Sequence, residues 1–140
     1  MKTVPGTLTK CGVPNRPDRL RVMTLVIPVP TPSVNRIHGH HWRRKHKETA
    51  LWLWLVKEAR LRARIYETDA PLERARLTVE RWGPRTLDDD NFRAGAKWLF
   101  DALKNEGFIV DDDPPCIGTP TFIQHLGQPY RTVVKIEAVA

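Results

Sequence analysis

The spacing of apolar and polar positions changes several times along the chain, and each change predicts an element boundary. From Arg21 to Val29 the residues are apolar and β-branched. Pro28, Pro30 and Pro32 end this run by fixing φ and removing donors, so a first strand is predicted there. A Pro-led loop rich in His and Arg follows, from Pro30 to about Lys45. From about Lys47 to Tyr66, the residues Trp52, Leu55, Val56, Ala59, Ala63 and Tyr66 recur in steps of three and four, the apolar face of a helix. Lys57, Arg60 and Arg64 form a stripe on another face. Such a stripe either follows a phosphate backbone or is simply solvated, and the latter is commoner.

Alternation returns from about Glu73 to Trp82, where Ala75, Leu77, Val79 and Arg81 interleave with Arg74, Arg76, Thr78 and Glu80, before Gly83 and Pro84 end the strand. A second helix is predicted from Asp90 or Asn91 to a capping glycine at Gly107, with Phe92, Ala96, Leu99, Phe100 and Leu103 as its core face. Phe108 to Val110 extend briefly. Two last strands are predicted near Ile117 to Gln124 and Tyr130 to Ala138, turning around Leu126 to Pro129. The order β-α-β-α-β-β describes a small α/β (α+β) domain, a mixed sheet with two main helices, over residues 21–140. Residues 1–20 carry Pro5, Pro14 and Pro17 and no apolar period, which predicts a disordered tail.

Charge changes the picture, because it is divided along the chain. Of the 23 basic and 16 acidic residues, positions 1–86 hold 18 and 7 and positions 87–140 hold 5 and 9, so a basic stretch of +11 precedes an acidic one of −4. A basic surface attracts phosphates. A concentrated acidic patch would oppose that binding unless a cation sat in it. Cys11 and Cys116 read as free thiols rather than a secreted framework. No apolar stretch reaches the roughly 20 residues of a membrane helix, and the N-terminus lacks a signal-peptide core.

The acidic residues fall into two runs. Asp88, Asp89 and Asp90 stand where a loop meets a helix N-terminus, and capping accounts for one or two of them. If the segment is extended, Asp88 and Asp90 point the same way and form a pair suited to a hard cation. Asp111, Asp112 and Asp113 precede Pro114 and Pro115, where a turn is the plain alternative. For the runs to meet, the chain must double back along the intervening helix. They would then make a carboxylate site with open positions, as Mg²⁺ prefers when it also binds phosphate. Lys97, seven residues after Asp90, lies on the flank of that helix, either beside the site or in an i,i+4 pair with Asp101.

His38, His40, His41 and His46 lack the paired spacing and cysteines of a zinc site. Interleaved with Arg36, Trp42, Arg43, Arg44, Lys45 and Lys47, they read as a phosphate-gripping surface. Asn35, Arg36, Arg43, Arg44, Lys45, Lys47, Arg60 and Arg64 are the candidate nucleic-acid contacts.

Four segments in register carry a resemblance: Pro32-Ser33-Val34-Asn35-Arg36, Asp88-Asp89-Asp90-Asn91, Asp101-Ala102-Leu103, and Gly107-Phe108-Ile109-Val110-Asp111-Asp112. Over about residues 23–138 the chain resembles the RusA-type Holliday-junction resolvases, the crossover junction endodeoxyribonucleases of DNA recombination and repair. The resemblance implies an obligate homodimer of small α/β subunits, in the cytoplasm of a bacterium or derived from a phage. It further implies Mg²⁺-dependent paired nicking of four-way DNA, with no part for a membrane. Its metal-binding aspartates match Asp88, Asp90 and Asp112, with Asp111 and Asp113 as alternatives to the last. Its catalytic lysine matches Lys97, although three more residues separate that lysine from Asp90-Asn91 than in the family's shortest form. Two rival expectations stand beside this one, a non-catalytic DNA-binding module whose aspartates cap and turn, and a metal nuclease with no junction preference.

Overall fold

A computed structural model describes residues 22–33, 42–65 and 70–139. The expected tail, the candidate contacts Asn35 and Arg36, and Tyr66 lie outside the described residues, as does the side chain of Arg43. The elements are β1 (Val22–Ile27), α1 (Trp42–Arg62), β2 (Ala75–Gly83), α2 (Asp89–Gly95), α3 (Lys97–Asn105), α4 (Pro114–Ile117), β3 (Thr121–Leu126) and β4 (Arg131–Ala138). With α2 and α3 taken as one interrupted helix, the predicted mixed α/β order holds.

The strands form one mixed sheet in the order β1-β4-β2-β3. The last strand in sequence is therefore interior. β4 pairs antiparallel with β1 (Val26 opposite Val133) and with β2 (Val79 opposite Val134), while β3 runs parallel to β2 (Val79 opposite Phe122). The parallel step requires a crossover, and α2, α3 and α4 lie within it. Leu25 and Ile27, Leu77 and Val79, and Val134 and Ile136 turn inward at every second position and are fully buried. Trp52, Leu55, Val56 and Ala59 of α1 meet them with Phe92, Ala96, Leu99, Phe100 and Leu103. These are the predicted faces of the two helices, apart from Ala63, which is exposed in the turn after α1, and Tyr66.

Three local differences from the predicted elements have physical causes. The second helix is interrupted at Ala96 (φ −75°, ψ −8°), yet Phe92 and Leu99, seven residues apart, still share the buried face. A Cβ on Gly95 would stand 2.0 Å from the carbonyl oxygen of Pro32, so the helix and the segment after β1 touch backbone to backbone. The strand expected from Ile117 begins only at Thr121. Asp113 accepts a hydrogen bond from the Cys116 amide and Pro114 takes the first helical position, so the residues around Ile117 form α4 instead. Finally, Arg60 does not join a solvated stripe. It is 9% exposed and its Nε lies 3.1 Å from Glu106 Oε1, tying α1 to the end of α3. A buried guanidinium in an ion pair does not reach a DNA backbone.

Candidate metal and nucleic-acid site

The first acidic run is held by both neighbouring layers. Leu87 donates its amide to Gln124 Oε1 at 2.8 Å, and Gln124 Nε2 donates to the Leu87 carbonyl at 2.7 Å. One side chain of β3 thus does for the loop what a neighbouring strand would do. Asp88 follows in extended conformation and caps α2, its Oδ1 accepting from the Asn91 amide at 2.9 Å. Asn91 Nδ2 donates to Ser33 Oγ at 2.8 Å, which fixes the segment after β1 to the same corner. Asp88 therefore fills the capping role and keeps a second carboxylate oxygen. Asp89 and Asp90 form the first turn, where the helix dipole favours them, and Asp90 is exposed.

The second run returns along α3, the condition under which the two runs could approach each other. Gly107 (φ +85°) occupies the left-handed position after α3, with Phe108 N bonded to Leu103 O and Gly107 N to Lys104 O. This paired arrangement ends a helix and reverses the chain, and glycine adopts its φ without a Cβ penalty. Extended chain advances about 3.3 Å per residue against about 1.5 Å in a helix. Five residues beyond Gly107 are thus enough to bring Asp112 back to the first turn of α3. Ile109 forms a parallel bridge with Leu72 on the way.

Lys97 is where the return closes. Its Nζ lies 3.0 Å from Asp112 Oδ2 and 3.0 Å from Asp101 Oδ1, so the i,i+4 pair with Asp101 is formed and the same ammonium also meets the second acidic run. Lys104 adds a second ammonium, 3.5 Å from Asp111 Oδ1 and 3.8 Å from Asp112 Oδ1. Burial works to raise the Asp112 carboxyl, but the Lys97 hydrogen bond and charge, with help from Asp111 and Lys104, hold it below its ordinary value. The hydrogen bonds to Asp112 and Asp101 raise the Lys97 ammonium in turn. Of the alternatives to Asp112, Asp111 accepts from the Asp112 amide at 2.8 Å and Asp113 caps α4.

Lys97 and Asp112 line one open groove of about 610 Å³ with Arg93, Phe100 and Phe122. Arg93 and Ala94 stand three and four residues after Asp90, and Lys97 four and three after them, so Asp90 lies on the flank that leads to it. Asp90 and Lys97 are nonetheless about two turns apart, roughly 10 Å along the axis. Among the described residues, no three His, Cys, Asp or Glu side chains are grouped closely enough to hold one metal ion. The donors suit a hard divalent cation in kind, being carboxylates with oxygens uncommitted on Asp88 and Asp90. Asp112 would join them in exchange for a lysine.

Of the basic candidates, Arg44, Lys45 and Lys47 are exposed in the first turns of α1, and Arg64 is exposed just beyond its end. Gln124, Ser33 and Lys104 belong to the site without having been singled out in the sequence. Lys104 carried a signal, lying seven residues after Lys97 on the same helical flank. No described helix is long and apolar enough to cross a membrane. No protein-family model matches the sequence, and no curated protein matches it.

Proposed function

We propose that this chain is a Mg²⁺-dependent, structure-specific endonuclease that resolves four-way DNA junctions as a homodimer, in the manner of the RusA-type resolvases it resembles. The observation that carries the reading is the contact of Lys97 with Asp112 at 3.0 Å, on an open groove of about 610 Å³ that Arg93 also lines. Capping and turning explain Asp88 and Asp113, but they do not explain why a lysine and an aspartate from opposite ends of α3 meet there.

In this reading Asp88, Asp90 and Asp112 would hold the metal, which requires Asp112 to leave Lys97 and Lys104 and close on the first two, since the three are not grouped in the structure described. When bound, Mg²⁺ supplies a Lewis acid for the phosphoryl oxygens and an acidified water. Lys97 turns from Asp112 toward a non-bridging phosphate oxygen and balances the charge that grows there during in-line displacement. Gln124 and Asn91 keep the first carboxylates in place. Arg44, Lys45 and Lys47 contact the arms of the junction. Two equivalent sites related by a two-fold axis match two equivalent strands. Support for the dimer comes from α1, where Leu51, Trp54 and Leu61 are 43%, 57% and 48% exposed on one side of the helix, with Glu58 between the last two, large apolar side chains open to a second copy.

Incubation with Mg²⁺ and labelled four-way junction, flap and linear duplex tests the reading. Paired nicks confined to the junction are expected, while equal cutting of all three substrates would leave a metal nuclease without junction preference. The capping of Asp88 and the neutralisation of Asp112 by two lysines favour a second reading, a non-catalytic DNA-binding module. That reading requires junction binding indifferent to Mg²⁺ and no scission with any divalent metal.

A further inference from the structure

β2 carries a positive charge into the interior. Arg81 takes the inward position that continues Ala75, Leu77 and Val79, and it is 6% exposed. Burying a guanidinium is costly unless an anion shares its site, yet the protein partners of Arg81 are neutral. Its Nε donates to the Thr31 carbonyl at 2.9 Å and its Nη1 to the Arg85 carbonyl at 3.1 Å. Burial accordingly pushes its pKa down. Gly83 permits the pose, since a Cβ there would stand 2.5 Å from Arg81 Nη1.

The remaining Nη2 edge donates to no protein group and is not among the buried unpaired atoms, so it opens into the cleft of about 460 Å³ that Arg81 lines. Arg44 and Arg85 line the same cleft. Glu48, the one carboxylate among its lining residues, accepts a hydrogen bond from Trp52 Nε1 at 3.0 Å. The Thr31 hydroxyl, fully buried in this wall, has no partner. Leu87 closes the cleft on the side of Asp88. The unengaged Nη2 of a fixed guanidinium, with two further arginines around one cleft, suits a tetrahedral oxyanion, because several charged donors converge on it.

We infer that this cleft is a receptor for one phosphate group of a nucleic-acid strand, held by the free edge of Arg81 together with Arg44 and Arg85. The strand as the source of the phosphate rests on the function proposed above, whereas the receptor does not depend on cleavage. Leu87 lines this cleft and Asp88 follows it in the chain, so one strand could be gripped beside the acidic run rather than within it.

The test is thermal unfolding of the full chain without Mg²⁺, at constant ionic strength and rising inorganic phosphate, for wild type, Arg81→Gln, Gly83→Ala and Arg76→Gln. Arg76→Gln removes the same charge from an exposed site off the cleft. Gly83→Ala keeps every charge and displaces the guanidinium, so it carries the test if Arg81→Gln does not fold. Phosphate is expected to raise the midpoint of wild type and Arg76→Gln, since a ligand bound only by the folded state stabilises it. Neither cleft variant should respond. A single-stranded oligonucleotide should bind the cleft variants at least about tenfold more weakly than Arg76→Gln, the loss of one good charged contact. An unresponsive wild type, or cleft variants that respond as it does, would overturn the receptor. A normal phosphate response with equal oligonucleotide binding by all variants would overturn the nucleic-acid strand as its source. With Mg²⁺ absent, none of these results depends on whether the protein cuts DNA.

Discussion

The Lys97 ammonium stands 3.0 Å from the Asp112 carboxylate, joining the first turn of α3 to the chain that returns after its end. The pair also shares its lysine with Asp101. A surface ion pair of this kind is worth about 0–1 kcal/mol, and the Lys97 side chain is 62% exposed. Its contribution to stability is therefore small. Its position on the groove gives it a larger part in the proposed chemistry.

Lys97→Met is accordingly expected to change unfolding free energy by no more than about 1 kcal/mol while lowering Mg²⁺-dependent junction cleavage about 100-fold or more, the scale of losing one transition-state charge contact. Urea unfolding and single-turnover cleavage of the same preparation check both halves. Cleavage at the wild-type rate would remove Lys97 from the reaction.

Asp112 makes an acid-side prediction for the metal-free protein. Its folded pKa is held below the ordinary carboxylate value. Its contribution to stability is thus present above the unfolded pKa of about 3.9 and is lost as pH falls through the lower folded value. In EDTA, wild type should lose more stability between pH 6 and pH 3 than Asp112→Asn does. Parallel urea titrations of the two proteins measure it, and identical pH profiles would contradict the assignment. The Lys97 shift acts at the other end, its stabilisation being present at neutral pH and lost only above the ordinary lysine range.

Gln124 makes a prediction about positioning. Gln124→Leu removes both hydrogen bonds to Leu87 and leaves its amide and carbonyl without partners. A cost of about 1–3 kcal/mol is expected from unsatisfied groups that are partly buried. Exchange of the Leu87 amide should accelerate with it, and cleavage should fall because the start of the acidic run is released. Unaltered exchange at Leu87 would show that the loop is held by other contacts.

Much of the architecture is legible in the sequence because periodicity reports burial directly. The alternation of Ala75, Leu77, Val79 and Arg81, the helical face from Phe92 to Leu103, and the glycine at 107 all occupy the positions their spacing predicts. What was not legible depends on partners distant in sequence. The interruption at Ala96 follows Gly95, a glycine within the helical run, but the close approach of Gly95 to Pro32 is visible only in the assembled fold. Arg60 has the spacing of a solvated residue, but Glu106, 46 positions away, draws it inside. At the site, the doubling back of the chain was foreseeable as a requirement. The hold of Gln124 on Leu87 and the second lysine at Asp112 emerge only when the strands and helices are assembled.

The exposed stripe on α1 bears on assembly. Trp54→Glu, placed at the centre of that stripe, should weaken self-association at least tenfold, since burying a charge at an apolar contact is unfavourable. The folded monomer should survive, because Trp54 is 57% exposed. Sedimentation of the two proteins over a range of concentrations measures this. An unchanged association constant would place the dimer contact elsewhere.

The central claim is that the acidic run at the start of α2 serves phosphodiester hydrolysis rather than helix capping alone. Asp90 isolates that claim, because the cap hydrogen bond belongs to Asp88 and Asp90 is exposed. Cleavage of a synthetic four-way junction in Mg²⁺ by wild type and Asp90→Asn, with equal folding verified, is the most direct measurement. Paired nicks from wild type and a loss of at least about 100-fold in the variant are expected. Equal cleavage by the two proteins, or none by wild type with any divalent metal, would contradict it.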